Sequence, residues 1–164
     1  MKKKVFAGAC FALLITGCAS YDGRGLTTLS QVESTMGRPA MRIAAADGGS
    51  VLYYPRAPLG RHTYAVTVGP DGSVRGVEDR LTLTHINKLR VGSSTKKDVQ
   101  ELLGPAYPHS TSTLALSGRE VWEYPWLDLS EKRVLWVQFS PDGVLREVLN
   151  SRDDYHESPG GGMQ

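Results

Sequence analysis

The polar and apolar positions between residues 95 and 105 follow the pattern of a short helix with defined ends. Three apolar residues recur at i, i+3 and i+4, which places them on one helix face: Val99, Leu102 and Leu103. Thr95 offers an N-cap hydroxyl, and Asp98 puts a carboxylate in the first turn, where the helix dipole favours it. Gly104 permits a left-handed cap and Pro105 lacks an N–H, so the helix is expected to end there.

A fainter copy of this pattern lies between residues 25 and 39. Thr28 and Gln31 have the spacing of a capping box, and Gly37 and Pro39 close the helix. Its apolar residues are Leu29, Val32 and Met36. The two helix signatures lie about 70 residues apart, which indicates duplication of one structural unit.

Alternating apolar and β-branched residues after each helix predict strands in the same order in both copies. They fall at residues 40–45, 51–54, 63–68 and 74–78 in the first copy, and at 121–125, 133–139 and 145–148 in the second. A Pro-Asp-Gly turn at residues 69–72 and again at 140–143 predicts a hairpin in each copy.

These elements predict an α+β fold of two tandem repeats, at residues 25–81 and 84–152. Each repeat is expected to be a short helix packed on a 3–4-stranded antiparallel meander. A short helix at residues 86–89 would make the second repeat's helix a pair. The tail at 153–164 is polar and glycine-rich and is expected to be disordered, with Asp153 and Asp154 solvated.

The amino-terminal residues have the features of a targeting segment. Three lysines at residues 2–4 precede an apolar run at residues 5–15 that is too short to span a membrane. The run leads to Leu-Ile-Thr-Gly-Cys, which looks like a bacterial lipobox ending in Cys18. We predict a signal peptide at 1–17 and a lipidated linker at 18–24, the alternative being an ordinary signal peptide with a nearby cysteine.

The residue after Cys18 is Ala19 and not Asp, which favours a lipid anchor in the cell outer membrane, on the periplasmic side. The chain has 19 Lys and Arg against 17 Asp and Glu, but three lysines belong to the signal. The remaining 16 basic and 17 acidic residues give no electrostatic argument for nucleic acid as a partner. Cys10 leaves with the signal, so no disulfide is expected within the mature chain.

The polar residues show no pattern of a catalytic or metal site. The four histidines lack metal-ligand spacing: His62, His85, His109 and His156. Residues 110–113 are rich in Ser and Thr, but they lack the context of a nucleophile elbow and are expected to form a loop. We therefore expect neither a cofactor nor enzymatic activity.

The aromatic residues give candidate partner-binding positions. If residues 135, 137 and 139 face the helix, alternation turns Trp136 and Gln138 to the open face of the sheet. The same alternation places Glu123 and Tyr53 on open faces. An open-face Trp beside Tyr and charge is typical of a protein-binding hot spot. The alternative is that Trp136 packs under a loop or against the other repeat.

Two loops give further candidates. Trp126 is expected in a loop at residues 125–133, where it either contacts a partner or anchors the loop. Arg56 and Arg61 bound a loop that either touches anionic lipid head groups or is simply solvated.

The segment from Leu89 to Pro105 resembles the SmpA/OmlA family, the BamE-like outer-membrane lipoproteins. The family pattern continues with a Trp/Tyr strand and a hairpin with a glycine turn, matched here by Trp122, Tyr124, Phe139 and Gly143. The chain departs from the pattern because Pro105 directly follows Gly104, and because family members typically carry one unit. Two such units side by side are similar to the fold of the β-lactamase inhibitor proteins.

The resemblance implies a non-enzymatic accessory or scaffold role in outer-membrane protein assembly or envelope integrity. The implied partners are other envelope proteins, with the β-barrel assembly machinery as one candidate, and the membrane itself through the lipid anchor. The tandem arrangement leaves a second hypothesis, an inhibitor module that binds a periplasmic or extracellular hydrolase through an aromatic-lined sheet face.

Overall fold

The computed structural model describes residues 22–154. Its helices are α1 (Leu29–Met36), α2 (Leu83–Ile86) and α3 (Lys96–Leu103), with a 3₁₀ turn at Pro108–Ser110. The first strands are β1 (Met41–Ala44), β2 (Ser50–Pro55), β3 (Thr63–Val68) and β4 (Val74–Asp79). The later strands are β5 (Thr111–Thr113), β6 (Glu120–Asp128), β7 (Glu131–Phe139) and β8 (Leu145–Arg152).

The strands form two antiparallel four-stranded sheets, in the orders β1-β2-β3-β4 and β5-β6-β7-β8. With the short helices they make an α+β fold that is mostly sheet, as the strand and helix patterns predict. None of the helices formed by residues 22–154 has the length and apolar character needed to cross a bilayer. The predictions for the signal peptide, for Cys18 and for residues 155–164 lie outside the described residues.

Both predicted helix caps are confirmed. The Thr28 hydroxyl accepts a hydrogen bond from the Gln31 N–H at 3.3 Å, and the Gln31 side chain accepts one from the Thr28 N–H at 3.2 Å. Thr95 and Asp98 make the same reciprocal pair at 3.3 and 2.7 Å. The helix predicted at residues 86–89 forms three residues earlier, as α2.

The buried apolar side chains form two clusters. The first joins Val32 of α1 to residues of β2 and β3: Leu52, Tyr54, Val66 and Val68. The second joins residues of α3 and of the segment around α2 to β6, β7 and the start of β8: Leu81, Ile86, Leu89, Val99, Leu103, Trp122, Tyr124, Trp126, Leu135, Val137, Phe139 and Leu145. The side chains at 135, 137 and 139 are fully buried, so the predicted inward face of β7 is confirmed.

The end of α3 covers the second face of the first sheet. The Tyr53 hydroxyl donates to the Glu101 carbonyl at 2.8 Å, and Tyr53 is 2% exposed. A Cβ atom at Gly104 would lie 2.6 Å from Cγ2 of Thr63, so only glycine permits this approach. The prediction that Tyr53 lies on an open face is therefore wrong, because the second half of the chain packs there.

The hairpin of β6 and β7 is longer than predicted. The strands pair from Glu120 opposite Phe139 to Asp128 opposite Glu131, so the expected loop at 125–133 is instead a continuous ladder with a two-residue turn. Pro125 is tolerated because β5 pairs only with residues 120–122, which leaves β6 without a second partner at that level. Trp126 is consequently a strand residue and not a loop residue.

Candidate functional site

The outer face of the second sheet, away from α3, gathers polar and apolar side chains from neighbouring strands. Trp136 on β7 lies between Glu123 on β6 and Leu149 on β8, and Gln138 lies opposite Val121. Trp136 is partly exposed and Leu149 is 45% exposed. The structure thus brings together three residues predicted to share an open face: Trp136, Glu123 and Gln138.

These residues line a shallow recess of about 360 Å³. Its other walls come from the 3₁₀ turn, β5 and the turn that follows β5, namely His109, Ser110, Thr111, Ser112 and Leu114. Leu114 is 42% exposed at the rim. The recess therefore combines an indole and two leucines with hydroxyl, amide and carboxylate groups.

A second recess of about 630 Å³ adjoins the first and shares His109, Ser110 and Glu123 with it. Its far wall is the loop after β2, at residues 57–61, and Lys132 lies at its end. We call the two recesses together the open-face groove. It runs from Leu149, near the outer edge of the second sheet, to a loop that belongs to the first sheet.

Hydrogen bonds hold the polar rim of the open-face groove. Arg119 donates to the side-chain oxygen of Gln138 at 3.4 Å and forms an ion pair with Glu147 at 3.5 Å. At the far end of the hairpin, hydrogen bonds from Arg133 and then Arg152 hold the pKa of the Glu131 carboxyl below its ordinary value. Arg119, Glu147 and Glu131 are thus paired within the protein, and Trp136 and Leu149 form the apolar centre of the face.

The lining residues that were not predicted from the sequence include Leu149, Leu114 and His109. The predicted last strand stopped at residue 148, one position short of Leu149. Residues 110–113 were expected to be a loop, but 111–113 form the edge strand β5. The apolar positions at 114 and 149 were visible in the sequence, and a longer β8 would have placed Leu149 opposite Trp136.

Trp126 lies in the core and not on the surface. It is 1% exposed, and its indole N–H donates to the Asn150 side-chain oxygen at 3.3 Å. Its aromatic ring belongs to the second buried cluster, together with Tyr124, whose pKa is raised by burial. Trp126 therefore supports the sheet that carries Trp136, and at 1% exposed it has almost no surface to offer a partner.

The two arginines of the predicted head-group loop have different surroundings. Arg61 forms an ion pair with Asp153 and donates to the Arg133 carbonyl at 3.2 Å, with its side chain 17% exposed. Asp153 is 3% exposed, and its N–H donates to the Lys132 carbonyl at 3.0 Å. The prediction that Asp153 is a solvated tail residue is wrong, because it extends the β7–β8 ladder and pairs with Arg61.

Arg56 lines a cavity of about 540 Å³ together with Asp22 and Leu59. Its guanidinium lies 5.7 Å from the centre of the Tyr64 ring, and Leu59 at the loop tip is 99% exposed. The cavity also contains His62, whose Nδ1 lies 2.7 Å from an Asp79 oxygen and whose ring stacks on Tyr64.

The His62–Asp79 pair was not predicted from the sequence. The Asp79 carboxylate also accepts hydrogen bonds from the backbone N–H groups of Thr63 at 3.2 Å and Leu81 at 3.0 Å. It therefore binds backbone groups on both sides of the end of β4. The described residues that line this cavity include no Ser, Thr or Cys to act as a nucleophile. Within residues 22–154, no three His, Cys, Asp or Glu side chains are grouped to hold a metal ion.

Comparison of the chain with protein-family models, with curated proteins and with solved structures gives no match.

Proposed function

We propose that this chain is a non-enzymatic, lipid-anchored envelope protein of the BamE-like SmpA/OmlA type. It serves as an accessory or scaffold component in outer-membrane protein assembly or envelope integrity, and it acts by binding other proteins. The observation that carries the proposal is the open-face groove, where the partly exposed Trp136 and the exposed Leu149 lie among polar side chains. Central aromatic side chains within a polar rim are typical of protein-binding hot spots.

The proposal includes a duplicated architecture in which each half is a helix packed on its own sheet. The matching capping boxes support it, since Thr28 with Gln31 and Thr95 with Asp98 begin helices of equal length. The two sheets have the same strand order, and each has a register shift at the same hairpin. The duplication turns a one-unit assembly factor into a protein with two sheets, one of which keeps an outward aromatic face.

The position of the anchor is consistent with this role. Cys18 precedes Asp22 by four residues, so the acylated residue lies within about 14 Å of it along an extended chain. Asp22 lines the same cavity as Arg56 and Leu59, which supports a position of this loop near the proposed anchor. Arg61 is a poor candidate for head-group contact, because its side chain is engaged with Asp153.

Co-purification from detergent-solubilised envelopes tests the proposal. The full chain, with an affinity tag after residue 164, should retain at least one envelope protein, and the Trp136→Ala variant should lose it. Deletion of the protein should lower the level of folded barrel proteins in the outer membrane. Recovery of no envelope partner, together with normal barrel-protein levels in the deletion strain, would contradict the role.

The second candidate function is inhibition of a periplasmic or extracellular hydrolase. The groove between the loop at 57–61 and the second sheet favours it, because a protruding enzyme loop could enter a recess of about 630 Å³. Purified protein would then inhibit a hydrolase in a stoichiometric manner, and the Trp136→Ala variant would not. Capture of an envelope partner, together with no inhibition of hydrolases by the purified protein, would favour the scaffold role over the inhibitor role.

A further inference from the structure

The outer edge of β8 is the longest stretch of unpartnered strand on the second sheet. β8 has eight residues and lies last in the order β5-β6-β7-β8, whereas the opposite edge strand, β5, has three. A strand edge exposes a row of N–H and C=O groups that another extended chain can pair with.

The hydrogen bonds at the end of β8 determine which groups point outward. The Asp153 N–H bonds to the Lys132 carbonyl on β7, so residues 151 and 149 also direct their backbone groups toward β7. Val148 and Asn150 alternate with these residues along β8 and therefore direct their N–H groups away from the sheet. Among residues 22–154, no acceptor bonds to either N–H group. The Asn150 carbonyl receives only a 3.4 Å contact from Arg133.

A segment of the chain itself already pairs with this edge at its beginning. The Leu145 N–H donates to the Ser94 carbonyl at 2.8 Å, and the Gly92 N–H donates to the Leu145 carbonyl at 2.8 Å. This pairing stops at Leu145, and the edge beyond it is open within the described part of the chain. The edge therefore accepts extended backbone, and the unoccupied positions begin where the segment at 92–94 leaves off.

We propose that the outer edge of β8 binds an extended polypeptide segment with apolar residues at alternate positions, which adds to the second sheet as a fifth strand. This inference rests on the proposed function and specifies the class of partner. Alternate side chains of the added strand would lie beside Leu149 and widen the apolar centre formed with Trp136. The N–H groups of Val148 and Asn150 would donate to the added backbone, which gives affinity without sequence specificity.

A second copy of this chain fits the edge less well. Antiparallel pairing of two β8 strands with Leu149 opposite Leu149 would set Arg146 opposite Arg152 at both ends. Like charges directly opposite one another destabilise a strand pair. A foreign strand has no such constraint.

A labelled synthetic peptide tests strand addition. The probe is a fluorescein-labelled ten-residue peptide in which Val or Tyr alternates with Thr, Lys or Glu. The control peptide has the same composition with its apolar residues in one block. Fluorescence anisotropy with the full mature chain in detergent should show binding of the alternating peptide and little of the control.

The matched protein variants are Asn150→Pro and Asn150→Ala. Both remove the side chain that contacts Trp126, but only proline removes the outward N–H, and proline is tolerated on an edge strand at such a position. Asn150→Pro should weaken peptide binding about tenfold relative to Asn150→Ala, through one lost hydrogen bond and the clash of the ring. If Asn150→Pro does not fold, two N-methylated peptides test the same pairing on the unaltered protein. One is methylated at its odd-numbered backbone nitrogens and the other at its even-numbered ones. Only one of the two should lose binding.

Equal binding by the two Asn150 variants, or by both N-methylated peptides, would overturn strand addition. Absence of binding by the alternating peptide, or concentration-dependent dimerisation through β8 that excludes it, would also overturn it. These failures leave the proposed function intact as long as Trp136→Ala still loses the envelope partner, so the two proposals can be separated.

Discussion

Arg61 and Asp153 form an ion pair that joins the loop after β2 to the residue that follows β8. Their side chains are 17% and 1% exposed, and Arg61 also donates to the Arg133 carbonyl. The pair connects residues 92 positions apart along the chain. It therefore fixes the loop that forms the far wall of the open-face groove against the second sheet.

Arg61→Ala should lower the free energy of unfolding by about 2–4 kcal/mol, because it leaves a buried carboxylate without its partner. Urea unfolding followed by tryptophan fluorescence measures the change. The control is Arg75→Ala, which breaks an ion pair with Asp47. The side chains of Arg75 and Asp47 are both about half exposed. This control should cost about 1 kcal/mol or less. Equal losses in the two variants would contradict a structural role for the Arg61–Asp153 pair.

Gly104→Ala should destabilise the protein more than Gly37→Ala, although both glycines cap a helix with φ near +80°. A Cβ at Gly104 would meet Thr63 and Tyr53, at 2.6 and 3.1 Å, whereas a Cβ at Gly37 would have no neighbour within 4 Å. The backbone strain is common to both, at about 1–3 kcal/mol, and overpacking adds about 1–3 kcal/mol at Gly104 alone. Thermal or urea unfolding checks the difference, and equal losses would show that the end of α3 does not pack closely on the first sheet at Gly104.

His85 should make stability depend on pH below neutrality. Burial, followed by the nearby charge of Arg80, lowers the pKa of its imidazole from the ordinary value of 6.5. The unfolded chain therefore binds this proton more readily than the folded protein, so the contribution of His85 is complete above pH 6.5 and is lost as the pH falls. His85→Gln should flatten the decline in unfolding free energy as the pH falls below 6.5. An unchanged slope in the variant would contradict this assignment.

The helix caps and the alternation of β3 and β7 could be predicted from the sequence, because they depend on contacts between residues close along the chain. The cap formed by Thr95 and Asp98 is one such case. The position of Trp136 on the face of β7 opposite its buried residues is another. The predictions that were wrong concern residues whose surroundings depend on packing between distant parts of the chain. Alternation separates the two faces of β2 correctly, but it cannot reveal that α3 covers the face that carries Tyr53.

Trp126 and Asp153 show the same limit at the ends of strands. Pro125 indicated a strand end. However, β5 does not extend far enough to pair with residue 125, so no hydrogen bond from an N–H group is needed there. The strand β6 therefore continues, and Trp126 is buried. Asp153 stands in a polar tail sequence, and only its distant partner Arg61 explains its burial. The open-face groove was thus partly predictable, through Trp136, Glu123 and Gln138, while its β5 and β8 walls were not.

Cys18→Ser should move the protein from the membrane fraction to the soluble periplasmic fraction, because acyl chains on Cys18 provide the proposed anchor. Metabolic labelling with palmitate should be lost in the same variant. Cys10→Ser is the matched control, since it alters the other cysteine within the predicted signal. It should keep both the label and the membrane location. Palmitate labelling that persists in Cys18→Ser would exclude Cys18 as the lipid site.

Crosslinking from position 136 in intact cells tests whether the open-face groove binds a protein. A photoreactive amino acid replaces Trp136 in the full chain, and a control chain carries it at Leu129, a turn residue that is 97% exposed. We predict that the chain with the probe at 136 is captured by a discrete envelope protein and that the chain with the probe at 129 is not. Equal capture from both positions, or none from 136, would contradict a protein-binding role for the open-face groove.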